Sequence, residues 1–257
     1  MFVNGDNFII VMNSLQMHSK NQAGRNSAVR ISHPFIPVSE TLTLRKIYRL
    51  QKIRELTSNT YVMRFDRQEM PFRAGQHLTL GIPGNNQVRE YSIYSTEHDT
   101  ALEVLIREID SGTVSKQLRK LIPGELLDVD GPFGYFTLDE RQLDREYLFV
   151  ATGTGIAPFH SLAGSYPGLN YTLLHGVSYG HDAFERSEYP KKRHVLCTSR
   201  DREGDFHGRV TDYLKQKELN LNTLVYLCGN CDMIYDVYDL LTSRGFPSGN
   251  IKTEVYF

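Results

Sequence analysis

The spacing of strand-like runs changes character near Glu146, and that change constrains the fold more than any other feature of the chain. From Leu42 to about Leu138 the runs are short and close together, among them Thr60-Tyr61-Val62-Met63-Arg64-Phe65, His77-Leu78-Thr79-Leu80 and Leu102-Glu103-Val104-Leu105-Ile106-Arg107. Many short strands punctuated by Gly, Pro, Asn and Asp predict a closed antiparallel barrel or a sandwich. One helix interrupts them, with Val114, Leu118 and Leu121 on one face and Pro123-Gly124 as its stop. After Glu146, β-rich runs at residues 147–151, 171–175, 195–199, 224–227 and 251–256 alternate with helical spans, the pattern of a parallel sheet with crossover helices. A chain of 257 residues has room for two such domains. The expected organisation is a disordered extension over residues 1–40, an antiparallel barrel over 41–143 and an α/β domain over 144–257.

The extension follows from residues 13–27, where Asn, Ser, Gln and Gly dominate without a sustained period. Lys20, Arg25 and Arg30 against Asp6 also suit a targeting peptide, while an ordinary tail, or a start at Met12 or Met17, accounts for the same text. Across the chain 29 Lys and Arg meet 30 Asp and Glu, which leaves no global field for nucleic acid or a membrane surface. No run approaches the roughly twenty apolar residues of a spanning helix, and Phe8-Ile9-Ile10-Val11-Met12 is short for a secretory core, so the expected location is cytoplasmic. Three cysteines without a C-x4-C-x2-C run exclude a resident iron–sulfur cluster of that kind. Nine histidines receive no catalytic assignment.

Ligands of parallel α/β sheets sit beyond the carboxyl ends of the strands, and Gly153, Gly155, Gly176 and Gly229 all read as lying just past strand ends. Ala151-Thr152-Gly153-Thr154-Gly155-Ile156-Ala157-Pro158 follows a strand and opens a helix, a context in which glycines admit a diphosphate close to the backbone and the helix start supplies positive potential. Pro158 stands where the third glycine of G-x-G-x-x-G would be, so the motif departs from the Rossmann fingerprint. Cys228-Gly229-Asn230-Cys231-Asp232-Met233 again joins strand to helix; its C-x-x-C spacing admits a dithiol pair, whereas zinc would need two further ligands. In the first half, Arg89-Glu90-Tyr91-Ser92 displays Arg89 and Tyr91 on one face of a strand and Glu90 and Ser92 on the other. Asp110-Ser111-Gly112-Thr113-Val114-Ser115 lies at a helix mouth suited to an anion, although capping by Ser111 or Thr113 accounts for it equally.

These four motifs, in this order over residues 41–257, resemble the ferredoxin-NADP reductase family, bacterial type and FAD-containing, whose fold is an antiparallel Greek-key flavin barrel followed by an α/β nucleotide-binding domain. The resemblance implies that Arg89, Tyr91, Ser92, Ile106, Gly112, Thr113 and Ser115 hold FAD, with Ser92 near the reactive N5. It implies that Thr154, Gly155, Gly229, Asp232 and Met233 hold the nicotinamide nucleotide, with Cys228 close to the nicotinamide ring. Gly131-Pro132-Phe133-Gly134 also fits the family, and a Gly/Pro turn with a buried Phe explains it as well. Ser199, Arg200 and Arg209 resemble the places where NADP-dependent members bind the 2′-phosphate, so NADP(H) is expected ahead of NAD(H). Tyr256 or Phe257 is expected to lie against the flavin, strand alternation allowing one of the two. The implied activity is electron transfer between NADP(H) and ferredoxin or flavodoxin, each a transient partner. A flavin or oxygenase-component reductase, and a non-turnover electron-distributing subunit, are the alternatives.

Overall fold

The computed structural model describes residues 9–11 and 46–256. Six antiparallel strands form the first sheet: β2 (Lys46–Thr57), β3 (Thr60–Asp66), β4 (His77–Gly81), β5 (Val88–Ser92), β6 (Ala101–Arg107) and β7 (Leu126–Phe133). They lie in the order β5-β4-β7-β2-β3-β6, and a bridge between Ile93 and Val104 joins the two ends into a barrel. Alternation explains the interior: Tyr61, Met63 and Phe65 of β3 and Leu102, Val104 and Ile106 of β6 fill it. Val62 and Leu105, on the opposite faces of the same strands, are also buried, against the second domain. These two strands therefore read as apolar runs because both of their faces are covered. The helix α1 (Val114–Arg119) plugs the barrel with Val114 and Leu118, and Tyr61 Oη donates to Ser115 O at 2.6 Å.

The second sheet holds β8 (Glu146–Thr152), β9 (Asn170–Val177), β10 (His194–Thr198), β11 (Phe206–His207), β12 (Leu224–Asn230) and β13 (Ile251–Tyr256), parallel and in the order β13-β12-β8-β9-β10-β11. The order reverses beside β8, whose neighbours are β9 and β12, so a crevice is expected beyond the carboxyl ends of β8 and β12. Helix α2 (Ala157–Ser165) covers the barrel side, while α3 (Val210–Lys215) and α4 (Cys231–Ser243) cover the other. Between β9 and β10 the crossover is built from short 3-10 turns at Gly180–Asp182 and Arg186–Glu188, where a helix was expected. Gly176 and Gly229 lie within β9 and β12, correcting the reading that placed them past the strand ends. Within the expected disordered extension, β1 (Ile9–Val11) pairs antiparallel with β13, and the rest of that extension lies outside the described residues.

Two cations of β2 are held across the structure: Arg49 Nη1 donates to Gly124 O, and Arg54 pairs with Glu185 of the second domain. The loop after β5 docks on α2, with Ser161 Oγ donating to Ser95 O at 2.6 Å and Glu97 N to Ser165 Oγ at 2.9 Å. Nearby, His160 stacks on Tyr94 at 3.8 Å and meets two acceptors, Tyr94 O and Glu188 Oε2, each at 2.7 Å. Both contacts are hydrogen bonds when the ring carries both protons. That partner, the largest influence on Glu188, holds its carboxyl below the usual range.

One buried cluster runs through this seam, from Val62, Tyr94, Leu105 and Phe136 of the barrel to Phe149, Phe159 and Tyr226 of the second domain. A shared core makes the two domains unfold together. Phe136, buried 5.8 Å from Phe159 and 5.2 Å from Tyr226, tests this. Phe136→Ala should cost about 3–5 kcal/mol and lower both domains' stability in one calorimetric transition. Two separated transitions would show that the seam does not couple them.

Candidate functional site

Three hollows meet where the barrel faces the carboxyl end of the sheet. The largest, about 760 Å³, lies at the expected crevice and is lined by Thr152, Gly153 and Thr154, by Gly229 and Asn230, and by Arg209. Ser199, Asp232, Met233 and Tyr256 also face it. A second, about 420 Å³, holds Arg200 beside Tyr179, with the guanidinium 5.9 Å from the ring centroid. A narrow third brings together Arg89, Tyr91, Gly112, Thr113 and Ser115, residues of separate motifs that the sequence reading assigned to one ligand. Arg107 lines all three hollows, and among the described residues it is held in no ion pair.

Local geometry decides what each motif can bind. No side chain caps the start of α1; Thr113 Oγ1 donates instead to Gln87 Oε1 at 2.9 Å, which removes the simple capping explanation. A Cβ at Gly112 would come within 2.6 Å of Ile109, so the turn requires glycine for packing. Gly153 adopts φ +52 in the 3-10 turn Gly153–Ile156, and Thr154 follows it at the cleft wall. Gly155 turns away from the cleft and packs on β12, where a Cβ would stand 2.4 Å from Cys228 O. The first amides of α4 are capped, since Asn230 Oδ1 accepts from Asp232 N and Met233 N. Asp232 and Met233 can therefore offer the cleft their side chains but not those amides. Ile106 is buried in the barrel core, which leaves its backbone as the part able to meet a cofactor. Phe133 is 41% exposed, against the buried position considered for it.

The last strand completes the site. Lys252, Glu254 and Tyr256 share the face of β13 turned to the barrel. Lys252 Nζ donates to Thr137 O at 3.3 Å, Glu254 Oε1 lies 3.7 Å from His77 Nδ1, and Tyr256 Oη donates to Ser92 Oγ at 2.6 Å. Parallel register sets Cys228 directly beside Glu254. Ser92, Cys228, Glu254 and Tyr256 thus converge from β5, β12 and β13. Burial pushes the Cys228 thiol well above its usual range, and the Glu254 charge adds to this. Cys228 is buried in the cluster shared with the barrel, while Cys231 packs against the cluster on the opposite side of the sheet, an arrangement that does not suit a dithiol pair. Both Glu254 oxygens and His77 Nδ1 are buried without a hydrogen-bond partner. Burial pushes Glu254 up to about 8 and lowers His77.

Ser92, Arg89, Tyr91, Gly112, Thr113, Ser115, Thr154, Ser199, Arg209, Gly229 and Cys228 thus gather at adjoining surfaces, with Arg200 in the next hollow. Phe257 lies outside the described residues. Sequence reasoning missed Glu254, His77, Arg107 and Tyr179. Glu254 carried no local signal, since it follows Lys252 and Thr253 in a strand of mixed polarity. Arg107, a cation ending a strand whose last three preceding residues are apolar, gave a weak one.

Comparison with known proteins matches residues 48–138 to the family described as oxidoreductase FAD-binding domain and residues 149–239 to oxidoreductase NAD-binding domain. The chain is 29% identical over 227 residues to the toluate 1,2-dioxygenase electron transfer component of Pseudomonas putida, covering 80% of this chain and 66% of that protein. It is 28% identical over 235 residues to a flavodoxin/ferredoxin–NADP reductase of Buchnera aphidicola, covering 78% of this chain and 91% of the relative. A ferredoxin NADP+ reductase from Neisseria gonorrhoeae, solved with bound FAD and NADP, superposes with a TM-score of 0.74 at 22% identity, over 82% of this chain and 98% of that one.

The buried carboxyl gives a pH signature. Glu254 holds its proton up to about 8, whereas the unfolded chain releases it near 4.5. The folded state is thus at full advantage below 4.5 and loses stability as pH rises through 8. Glu254→Gln removes the ionisation while keeping the shape, so it should match the wild type in acid and exceed it by on the order of 1–3 kcal/mol near neutral pH. Denaturant titrations across this range check it; a constant difference would mean that the carboxyl does not titrate as its burial requires.

Proposed function

We propose, from the premise that the chain belongs to the flavoenzyme family that includes the ferredoxin-NADP reductases, that it carries electrons between NADP(H) and a one-electron carrier, ferredoxin or flavodoxin. The observation that carries this reading is the convergence of Ser92, Cys228, Glu254 and Tyr256 between the hollow holding Arg89 and Tyr91 and the cleft holding Gly153 and Thr154. Two adjoining anion-suited sites with a desolvated junction between them are what two nucleotides need to bring their rings together.

On this reading Tyr91 lies against the flavin ring system, Arg89 holds a flavin phosphate, and the uncapped start of α1 at Gly112–Ser115 takes the pyrophosphate. Flavin held by these residues would supply two-electron acceptance and single-electron release, which suits exchange with a one-electron carrier. Ser92 directs a hydroxyl at the reacting edge. Glu254, neutral at ordinary pH, is a proton reservoir that adds no charge beside it. Tyr256 lies over the junction and must shift before a nicotinamide ring can stack there, which puts a conformational step ahead of hydride transfer. Cys228 packs as a neutral thiol, shaping the ring pocket.

In the cleft, Thr154 and Arg107 meet the dinucleotide diphosphate, and Tyr179 offers an aromatic face to a purine. Arg200 and Arg209 supply the cations for a 2′-phosphate. The acids Glu108, Asp110, Asp182, Asp232 and Asp236 line the same cleft, so phosphate binding depends on these few arginines and not on a general positive field. Similarity to the toluate dioxygenase electron transfer component supports a second reading, in which the one-electron acceptor is an oxygenase component.

The purified protein should show a flavin spectrum that bleaches anaerobically with NADPH, and it should turn over with a dye acceptor in isolation. The absence of both would leave a non-turnover subunit. Replacing Arg200 and Arg209 together by Ala should lower kcat/KM for NADPH by about tenfold or more and leave that for NADH nearly constant. Equal losses with both nucleotides would refute the phosphate assignment. Reduction of ferredoxin or flavodoxin against reduction of an oxygenase component decides between the acceptors.

A further inference from the structure

The turn that faces the cleft is held from behind by a residue to which the reaction assigns nothing. His175 lies in β9, between Ala151 of β8 and Leu196 of β10, and is fully buried. Its Nε2 is 2.9 Å from Gly153 O. A carbonyl oxygen only accepts, so Nε2 carries the proton of the neutral ring. Nδ1 has no hydrogen-bond partner, and the surroundings are aromatic, with Phe184 at 6.1 Å and His194 at 6.0 Å. Burial, with His194 as the second influence, lowers His175 to about 3, so the ring stays neutral at working pH.

A trans peptide points its C=O and the following N–H in opposite directions. Drawing Gly153 O inward therefore turns the Thr154 N–H outward, on the side where Gly153 and Thr154 line the cleft. Arg107 stands over the same turn from the front, its Nη1 3.8 Å from where a Gly153 Cβ would be. The 3-10 turn Gly153–Ile156 holds this carbonyl by short-range backbone bonding, and the histidine ties it to β9; without that tie the Gly153–Thr154 peptide is freer to turn its carbonyl oxygen toward the cleft, where it would repel an anion.

We propose that His175 is a positioning residue for nucleotide binding: its hydrogen bond to Gly153 O fixes the turn so that the Thr154 amide donates to the diphosphate of the dinucleotide. The inference rests on the reading of the cleft as an NADP(H) site. Its signature is selectivity for the diphosphate, because a ligand that lacks that group gains nothing from the oriented amide.

The test compares NADP+ with 2′-AMP, which keeps the 2′-phosphate and adenine but has no diphosphate. His175→Phe preserves ring volume and removes the donor, while His175→Gln places an amide N–H where Nε2 stood. His175→Phe should weaken NADP+ binding about tenfold, the worth of one hydrogen bond, with 2′-AMP affinity, flavin content and the rate of flavin reduction at saturating NADPH unchanged. His175→Gln should restore most of the NADP+ affinity. Unchanged NADP+ affinity in His175→Phe, or equal losses for both ligands, would overturn the proposal. A measurement on the wild type covers the case in which His175→Phe does not fold. Nitrogen-15 spectra should show the Nε2–H tautomer of His175, and the Thr154 amide resonance should move on adding NADP+ but not 2′-AMP. The Nδ1–H tautomer, or an unmoved Thr154 amide, contradicts it. A wild type that binds 2′-AMP and NADP+ alike with no diphosphate contribution counts against His175 alone, whereas a wild type that binds neither overturns the cleft assignment itself.

Discussion

The face of β13 laid against the barrel is the contact on which the rest of the site depends. Lys252, Glu254 and Tyr256, each two residues from the next, reach Thr137, His77 and Ser92 in turn. Because β13 pairs in parallel with β12, the same registration carries Cys228 to the junction and leaves the Gly153 turn beside it. A slip of one residue along β13 would turn all three side chains to the opposite face and dismantle the site. The aromatic core beneath, around Phe136, Phe149 and Tyr226, makes that registration rigid by filling the volume between the sheets.

Electrostatics divides the site into two kinds of ground. The cleft and its neighbouring hollows combine several carboxylates with a few cations, among them Arg107, which is in no ion pair among the described residues, so charge there is arranged locally in a chain whose formal net charge is −1. At the junction burial outweighs the field of Glu90, the charge that acts on both Glu254 and His77. Burial keeps Cys228 and Glu254 protonated and His77 unprotonated, which suits the meeting of two ring systems that exchange a hydride. Desolvation favours the neutral form of every titratable group packed there.

Fold class and most of the strand positions were legible because each domain obeys a simple period. The barrel strands β3, β4 and β6 and the parallel strands β8, β10 and β13 of the second domain were read within a residue or two of their ends; β9 and β12 run on through their glycines, and the two-residue strand β11 was not read. The period fails where tertiary contacts decide. β2, the longest strand, shows no simple period because Arg49 and Arg54 reach out to Gly124 O and Glu185. The β9–β10 crossover has no helix because 3-10 turns around Gly180 and Arg186 bring Glu185 back to the barrel. The motifs fall on the linings of the two candidate surfaces, since glycine turns and strand ends are local signals. Glu254, His77 and His175 were not legible as site residues, because their significance lies in contacts with residues 22 to 177 positions away.

Whether electrons cross at the Ser92–Tyr256 junction is decided most directly by the anaerobic stopped-flow rate of flavin reduction by NADPH in Ser92→Ala, measured with nucleotide affinity and flavin content in the same preparation. Loss of the hydroxyl should slow reduction by about tenfold or more, the equivalent of one hydrogen bond at the reacting edge, with NADP+ affinity unchanged. Reduction at the wild-type rate in a variant that retains its flavin would contradict the account.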